Sequence, residues 1–72
     1  MKQIEINKEP VELYKILKFE GLVASGGESK LVIDQQLVKV NGSIETRRRK
    51  KMLAGDILEF SGETYLLTLK TI

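Results

Sequence analysis

The segment "VNGSIETRRRKKMLAGD", residues 40–56, sets five cations side by side, Arg47, Arg48, Arg49, Lys50 and Lys51, between an Asn-Gly and a Gly-Asp. A guanidinium fork takes two phosphate oxygens at once and stacks on planar groups, while an ammonium neutralises phosphate as a point charge. Adjacent like charges repel, and a link that needed only solubility would intersperse acids. The run therefore points to a polyanion, nucleic acid foremost. A solvated connection between hairpins, an acidic protein partner or a nuclear-import signal would use the same residues. Charge is segregated along the chain as well: residues 30–51 hold seven cations (Lys30, Lys39 and the run) against Asp34 and Glu45, whereas the rest holds five cations and eight anions. The net charge of +2 conceals that division.

Three weaker groups accompany the run. Ser25-Gly26-Gly27 opens a helical segment, where glycines let an anion approach exposed amides. A capping box with Glu28 accounts for the same residues, and Glu28 would oppose an anion there. Lys30 follows in the same turns. Tyr14, Lys15 and Lys18 share one side of an earlier helix and could form a small stacking and phosphate surface, or an ordinary solvated face. Lys39 gains weight only if it lies beside Arg47.

Much chemistry is excluded. The chain has no histidine and no cysteine, so the usual triads, thiol nucleophiles, disulfides and Cys/His zinc sites cannot form. Its ten carboxylates lie mostly at helix starts or on strand faces beside lysines. "SGGESK" lacks the spacing and ending of a P-loop. No enzyme activity, cofactor or metal is expected. Glu5, Glu9, Glu12 and Glu20 rule out a secretory core in the first twenty residues, and no apolar run nears the roughly 20 residues of a membrane span. The expectation is one soluble cytoplasmic domain, residues 1–72. A chain of this size buries only about 60% of its unfolded surface, so its core must be thin.

The positioning elements follow from periodicity. "KQIEI" alternates and predicts a strand with Ile4 and Ile6 inward. "KEPVELYKILKFEG" predicts a helix with Pro10 at its first position, Glu9 and Glu12 near its positive end and Gly21 as terminator. Leu13, Ile16 and Leu17 make its buried stripe, and Tyr14, Lys15 and Lys18 face outward. "SGGESKLVIDQ" predicts a second helix capped by Ser25, with Leu31, Val32 and Ile33 as its apolar part. "LVKVNGSIETR" predicts a hairpin. A three-residue loop pairs Val40 with Ile44 and keeps the apolar face intact, with Lys39, Glu45 and Arg47 on the other face; this register is preferred over a two-residue Asn-Gly loop. "ILEF" and "TYLLTLK" predict a last hairpin around Ser61-Gly62-Glu63, with Leu58, Phe60, Tyr65, Leu67 and Leu69 inward. The fold class is α+β, two short helices packed on a small, mainly antiparallel sheet.

The order of these signals, a short helix, a Ser-started helix, Val38-Lys39-Val40-Asn41-Gly42, a basic stretch and then Gly55-Asp56-Ile57-Leu58, resembles the S-four RNA-binding domain, the alpha-L motif. Residues 12–60 carry the likeness, and it is strongest to the small stand-alone bacterial members of the YbcJ/YaaA type. It implies RNA binding without catalysis, with ribosomal or transfer RNA as partner, a monomeric state and association with the ribosome or an assembly particle. With the charge pattern, it implies contacts from Lys15, Lys18, Ser25, Gly26, Gly27, Lys30, Lys39, Asn41, Arg47, Arg48, Arg49, Lys50 and Lys51. Many relatives have Arg-Leu-Asp where this chain has Glu12-Leu13-Tyr14, Arg where Gly26 stands, and Gly where Gln36 stands. Two family arginines are thus missing, and the basic run is expected to move the binding centre toward the hairpin. Gln36 is expected either to adopt positive φ or to alter the helix exit.

Overall fold

The computed structural model describes residues 1–70. Strand β1 (Lys2–Ile6) buries Ile4 and Ile6 as its alternation dictates. It pairs in parallel with β7 (Glu63–Leu69), and the sheet continues through β6 (Ile57–Phe60), β3 (Val38–Val40) and β4 (Ser43–Ile44), all antiparallel. Helices α1 (Leu13–Phe19) and α2 (Gly26–Asp34) pack on this sheet. Leu13, Ile16, Leu17 and Ile33 meet Ile4, Val38, Leu58 and Leu67 in the core between the layers. The α+β architecture is the expected one.

Both helices stop by the same device. Beyond α1, Gly21 (φ 71°) donates to Lys18 O and Leu22 to Leu17 O. Beyond α2, Gln36 (φ 64°) donates to Ile33 O and Leu37 to Val32 O. These are paired Schellman bonds, and Gln36 takes the left-handed conformation although it has a side chain.

Several local expectations are corrected. Pro10 is not the first helical residue: Val11 and Glu12 form a short strand, β2, paired antiparallel with β5 (Lys51–Met52), and α1 begins only at Leu13. A two-residue strand shows no alternation that a sequence could display. Glu9 lies near no helix end; its carboxylate accepts the Ala54 amide at 2.6 Å.

The β3–β4 hairpin has the two-residue loop, pairing Val40 with Ser43 and Lys39 with Ile44. Asn41 (φ 52°) and Gly42 (φ 86°) both occupy the left-handed region that a type I′ turn requires. Turn chemistry outweighs the burial of one isoleucine, and Ile44 stays 52% exposed. Lys39 and Glu45 therefore lie on opposite faces, with Glu45 donating its amide to Val38 O at 3.0 Å. The last hairpin also closes on two residues, Ser61 and Gly62, and Leu69 is exposed rather than inward.

In α2 only Ile33 of the three expected apolar residues is fully buried, and Leu31 is largely exposed. The position against α1 belongs to Ser29, fully buried, whose hydroxyl donates to Tyr14 O at 2.7 Å. A small residue there lets the helices approach closely, and its one polar group is satisfied.

Candidate functional site

An α-helix leaves its first amides without internal partners. In α1 the Glu12 side chain makes no cap, and the Leu13 and Tyr14 amides instead donate to the carbonyls of Lys50 (2.9 Å) and Arg48 (3.1 Å). The backbone of the basic run is thus the cap of α1. With the β2–β5 pairing of Glu12 and Lys51, this fixes the run against the helices.

The side chains extend the connection. Arg48 donates through Nε to Asp34 Oδ1 at 3.1 Å and through Nη2 to Asp34 Oδ2. Asp34 is the last residue of α2, so Arg48 joins the start of one helix to the end of the other. The hydrogen bond from Arg48 holds the Asp34 carboxyl below the usual carboxylate range, and the same contact raises the Arg48 guanidinium. Arg47 forks onto Glu45 at 2.9 and 3.1 Å, which lowers the Glu45 carboxyl. Arg49 Nε lies 3.9 Å from Glu12 Oε2, and Lys15 Nζ 3.1 Å from Glu12 Oε1. Each arginine of the run therefore faces a carboxylate of its own chain.

The lysines differ. Among the described residues, Lys18, Lys30, Lys50 and Lys51 make no ion pair. Lys30 Nζ sits 5.2 Å and Lys15 Nζ 5.9 Å from the centre of the Tyr14 ring. Lys18 Nζ is 5.7 Å from the Phe19 ring, and its Cδ would lie 3.8 Å from a Cβ placed on Gly26. Arg47, Arg49, Lys50 and Lys51 line a basic concavity of about 510 Å³. Exposed ion pairs contribute only about 0–1 kcal/mol each, so the arginines can exchange their carboxylates for phosphate at small cost. Those four lysines need no exchange, whereas Lys15 shares Glu12 with Arg49.

Contacts join several of the expected residues: Lys15 and Lys30 flank the Tyr14 ring, Lys18 reaches toward Gly26, and the run is bonded to the start of α1. Ser25 caps α2 by accepting the Glu28 amide at 3.1 Å, while the Glu28 carboxylate takes the Ala24 amide at 3.2 Å rather than that of Ser25. Two expected contacts stand apart. Lys39 lies between Ile44 and Glu59 on the sheet, on the side opposite the buried Val38 and Val40. Asn41 is part of the scaffold: its side-chain N–H donates to Asp56 Oδ1 at 3.1 Å and its carbonyl oxygen accepts the Ile57 amide at 2.9 Å. The run and the start of α1 adjoin through the Lys50 and Arg48 carbonyls. The pairing of Asp34 with Arg48 and the bridging role of Ser29 carried no signal in the sequence.

The chain is similar to known proteins along most of its length. The S4 domain model covers residues 4–68. A protein of Escherichia coli (strain K12) named "Putative RNA-binding protein YbcJ" is 42% identical over 65 residues, spanning 89% of this chain and 93% of that protein. The "Probable ribosome maturation protein RlbA" of Bacillus subtilis (strain 168) is 34% identical over 59 residues, spanning 82% of this chain and 83% of that protein. The solution structure of Escherichia coli YbcJ, described as revealing an alpha-L motif involved in RNA binding, superposes with a TM-score of 0.70 at 38% identity, covering 94% of this chain and 87% of that one. With the family model spanning residues 4–68 and relatives matched along most of its length, the chain belongs to the S4 domain family.

Proposed function

We propose that this protein binds structured RNA, ribosomal or transfer RNA, as a cytoplasmic, non-catalytic monomer acting at the ribosome or an assembly particle. The observation that carries the reading is the capping of α1 by the Lys50 and Arg48 carbonyls. It turns a basic run and two helix faces into one surface on which Lys15, Lys18, Lys30, Arg47, Arg49, Lys50 and Lys51 meet the RNA backbone. Gly26 and Gly27 border that surface, and Ser25 acts through its cap.

Phosphate neutralisation supplies most of the affinity. Side chains cannot enter the narrow major groove of A-form RNA, so selectivity rests on RNA shape. The names of the Escherichia coli and Bacillus subtilis relatives support RNA as ligand and ribosome maturation as setting. The absence of histidine and cysteine supports a binding role without catalysis. Crosslinking in cells followed by sequencing of the attached nucleic acid tests the reading. Reads concentrated on ribosomal or transfer RNA are expected; failure to recover RNA, or recovery of DNA instead, would refute it.

A further inference from the structure

Beside the basic face lies a cavity of about 520 Å³ between α1 and the end of β1, within the roughly 300–1,000 Å³ typical of small-molecule clefts. We infer that this cavity receives one unpaired, extruded base of the bound RNA, guanine by preference, stacked on Phe19. The inference rests on the RNA-binding reading above.

Three observations converge on that occupant. The floor is apolar, formed by Ile6, Val11 and Ile16. Phe19 lines the cavity yet is 68% exposed, with Lys18 Nζ 5.7 Å from the centre of its ring. Base–aromatic stacking is the common way in which proteins hold unstacked nucleotides. Lys15 and Lys51, which belong to the basic face, also line the cavity. A strand whose phosphates lie on that face therefore reaches the cavity without leaving its cations.

Of the other polar lining groups, which include Asn7, Lys8 and Glu12, two carboxylates select among bases. Glu5 and Glu20 line the cavity and make no ion pair among the described residues. A carboxylate is an acceptor only. Guanine presents two adjoining donors, N1–H and the N2 amino group, that one carboxylate can accept together. Uracil presents a single N–H between two carbonyl oxygens that a carboxylate repels. Glu20 follows Phe19 directly in the chain and lines the same cavity, so its carboxylate is the acceptor assigned to a base stacked on that ring. Acids that would weaken phosphate binding elsewhere here read the base edge.

The test uses the full chain and two RNA hairpins, one with a single bulged guanine and one fully paired, with uracil replacing the bulged base in a third. The wild type should bind the guanine bulge roughly tenfold or more tighter than the paired hairpin, with uracil between them. Phe19→Ala, at an exposed position that leaves the core intact, should abolish the preference and keep the affinity for paired RNA. Glu20→Gln should level guanine and uracil. Phe19→Trp, in a chain without tryptophan, should show fluorescence quenching by the bulged hairpin alone. Paired RNA bound with no bulge preference, or a preference that survives Phe19→Ala, overturns the cavity assignment and leaves RNA binding standing. Loss of binding to every RNA overturns both.

Discussion

Asn41 and Asp56, fifteen residues apart, hold each other in place. Asn41 donates to Asp56 Oδ1 at 3.1 Å, and Asp56 Oδ2 accepts the Leu53 amide at 2.8 Å. The Asn-Gly of one turn and the Gly-Asp of another, which look like separate turn signals in the sequence, are two halves of one clasp. That clasp sets where the chain enters β6, and so where the basic run between the two turns can lie.

Asn41→Ala removes two side-chain hydrogen bonds, worth about 0.5–1.5 kcal/mol each, and leaves a left-handed residue without the local bonding that eases it. Urea unfolding should show a loss of about 1–3 kcal/mol, with a similar loss for Asp56→Ala. The double variant should lose less than the sum. RNA affinity of the folded Asn41→Ala protein should match the wild type; a stable variant with lost affinity would return Asn41 to the binding surface.

Gln36→Gly should stabilise the chain. The left-handed conformation costs a residue with a side chain about 1–2 kcal/mol, and glycine returns about 0.4–1 kcal/mol of that through greater unfolded-chain entropy. A net gain near 0.5 kcal/mol should raise Tm by a few degrees. A fall in Tm would mean that the Gln36 side chain makes a stabilising contact that outweighs its backbone.

The Asp34–Arg48 pair should appear in the acid limb of stability. The folded-state pKa of Asp34 is lowered by the hydrogen bond from Arg48. Its contribution is therefore complete above the ordinary carboxylate pKa of about 4 and disappears as pH falls through the lowered value. Asp34→Asn should be less stable than wild type at pH 7, and the difference should vanish in strong acid. A gap that persists at low pH would assign the loss to packing rather than to the ion pair.

The parts of this molecule that repeat were legible in the sequence. Ile4 and Ile6, the Leu13–Ile16–Leu17 stripe and the Ser25 cap follow from periods and spacings that one segment carries alone. What escaped was made by contacts between distant segments too short to have a period: the β2–β5 ribbon, the Arg48 and Lys50 carbonyls on α1, and Ser29 under Tyr14. In the β3–β4 register two local signals compete, and the dihedral demand of Asn-Gly prevails over burial of Ile44. The candidate site was readable as a composition, five cations in a row, but not as a surface. Its joining to the helices depends on backbone bonds that side-chain types do not announce, and the separation of Lys39 from Glu45 depends on the register.

The most direct test of the central claim is the salt dependence of RNA affinity across single lysine variants. With the seven cations of the proposed face engaged, log K should fall with log salt at a slope of about −5 to −6. Lys18→Gln, Lys30→Gln, Lys50→Gln and Lys51→Gln should each make the slope shallower by about 0.7–0.9, while Lys39→Gln should leave it unchanged. A flat salt response, or a Lys39 effect equal to the others, would contradict a single RNA-binding face built by the run and the two helices.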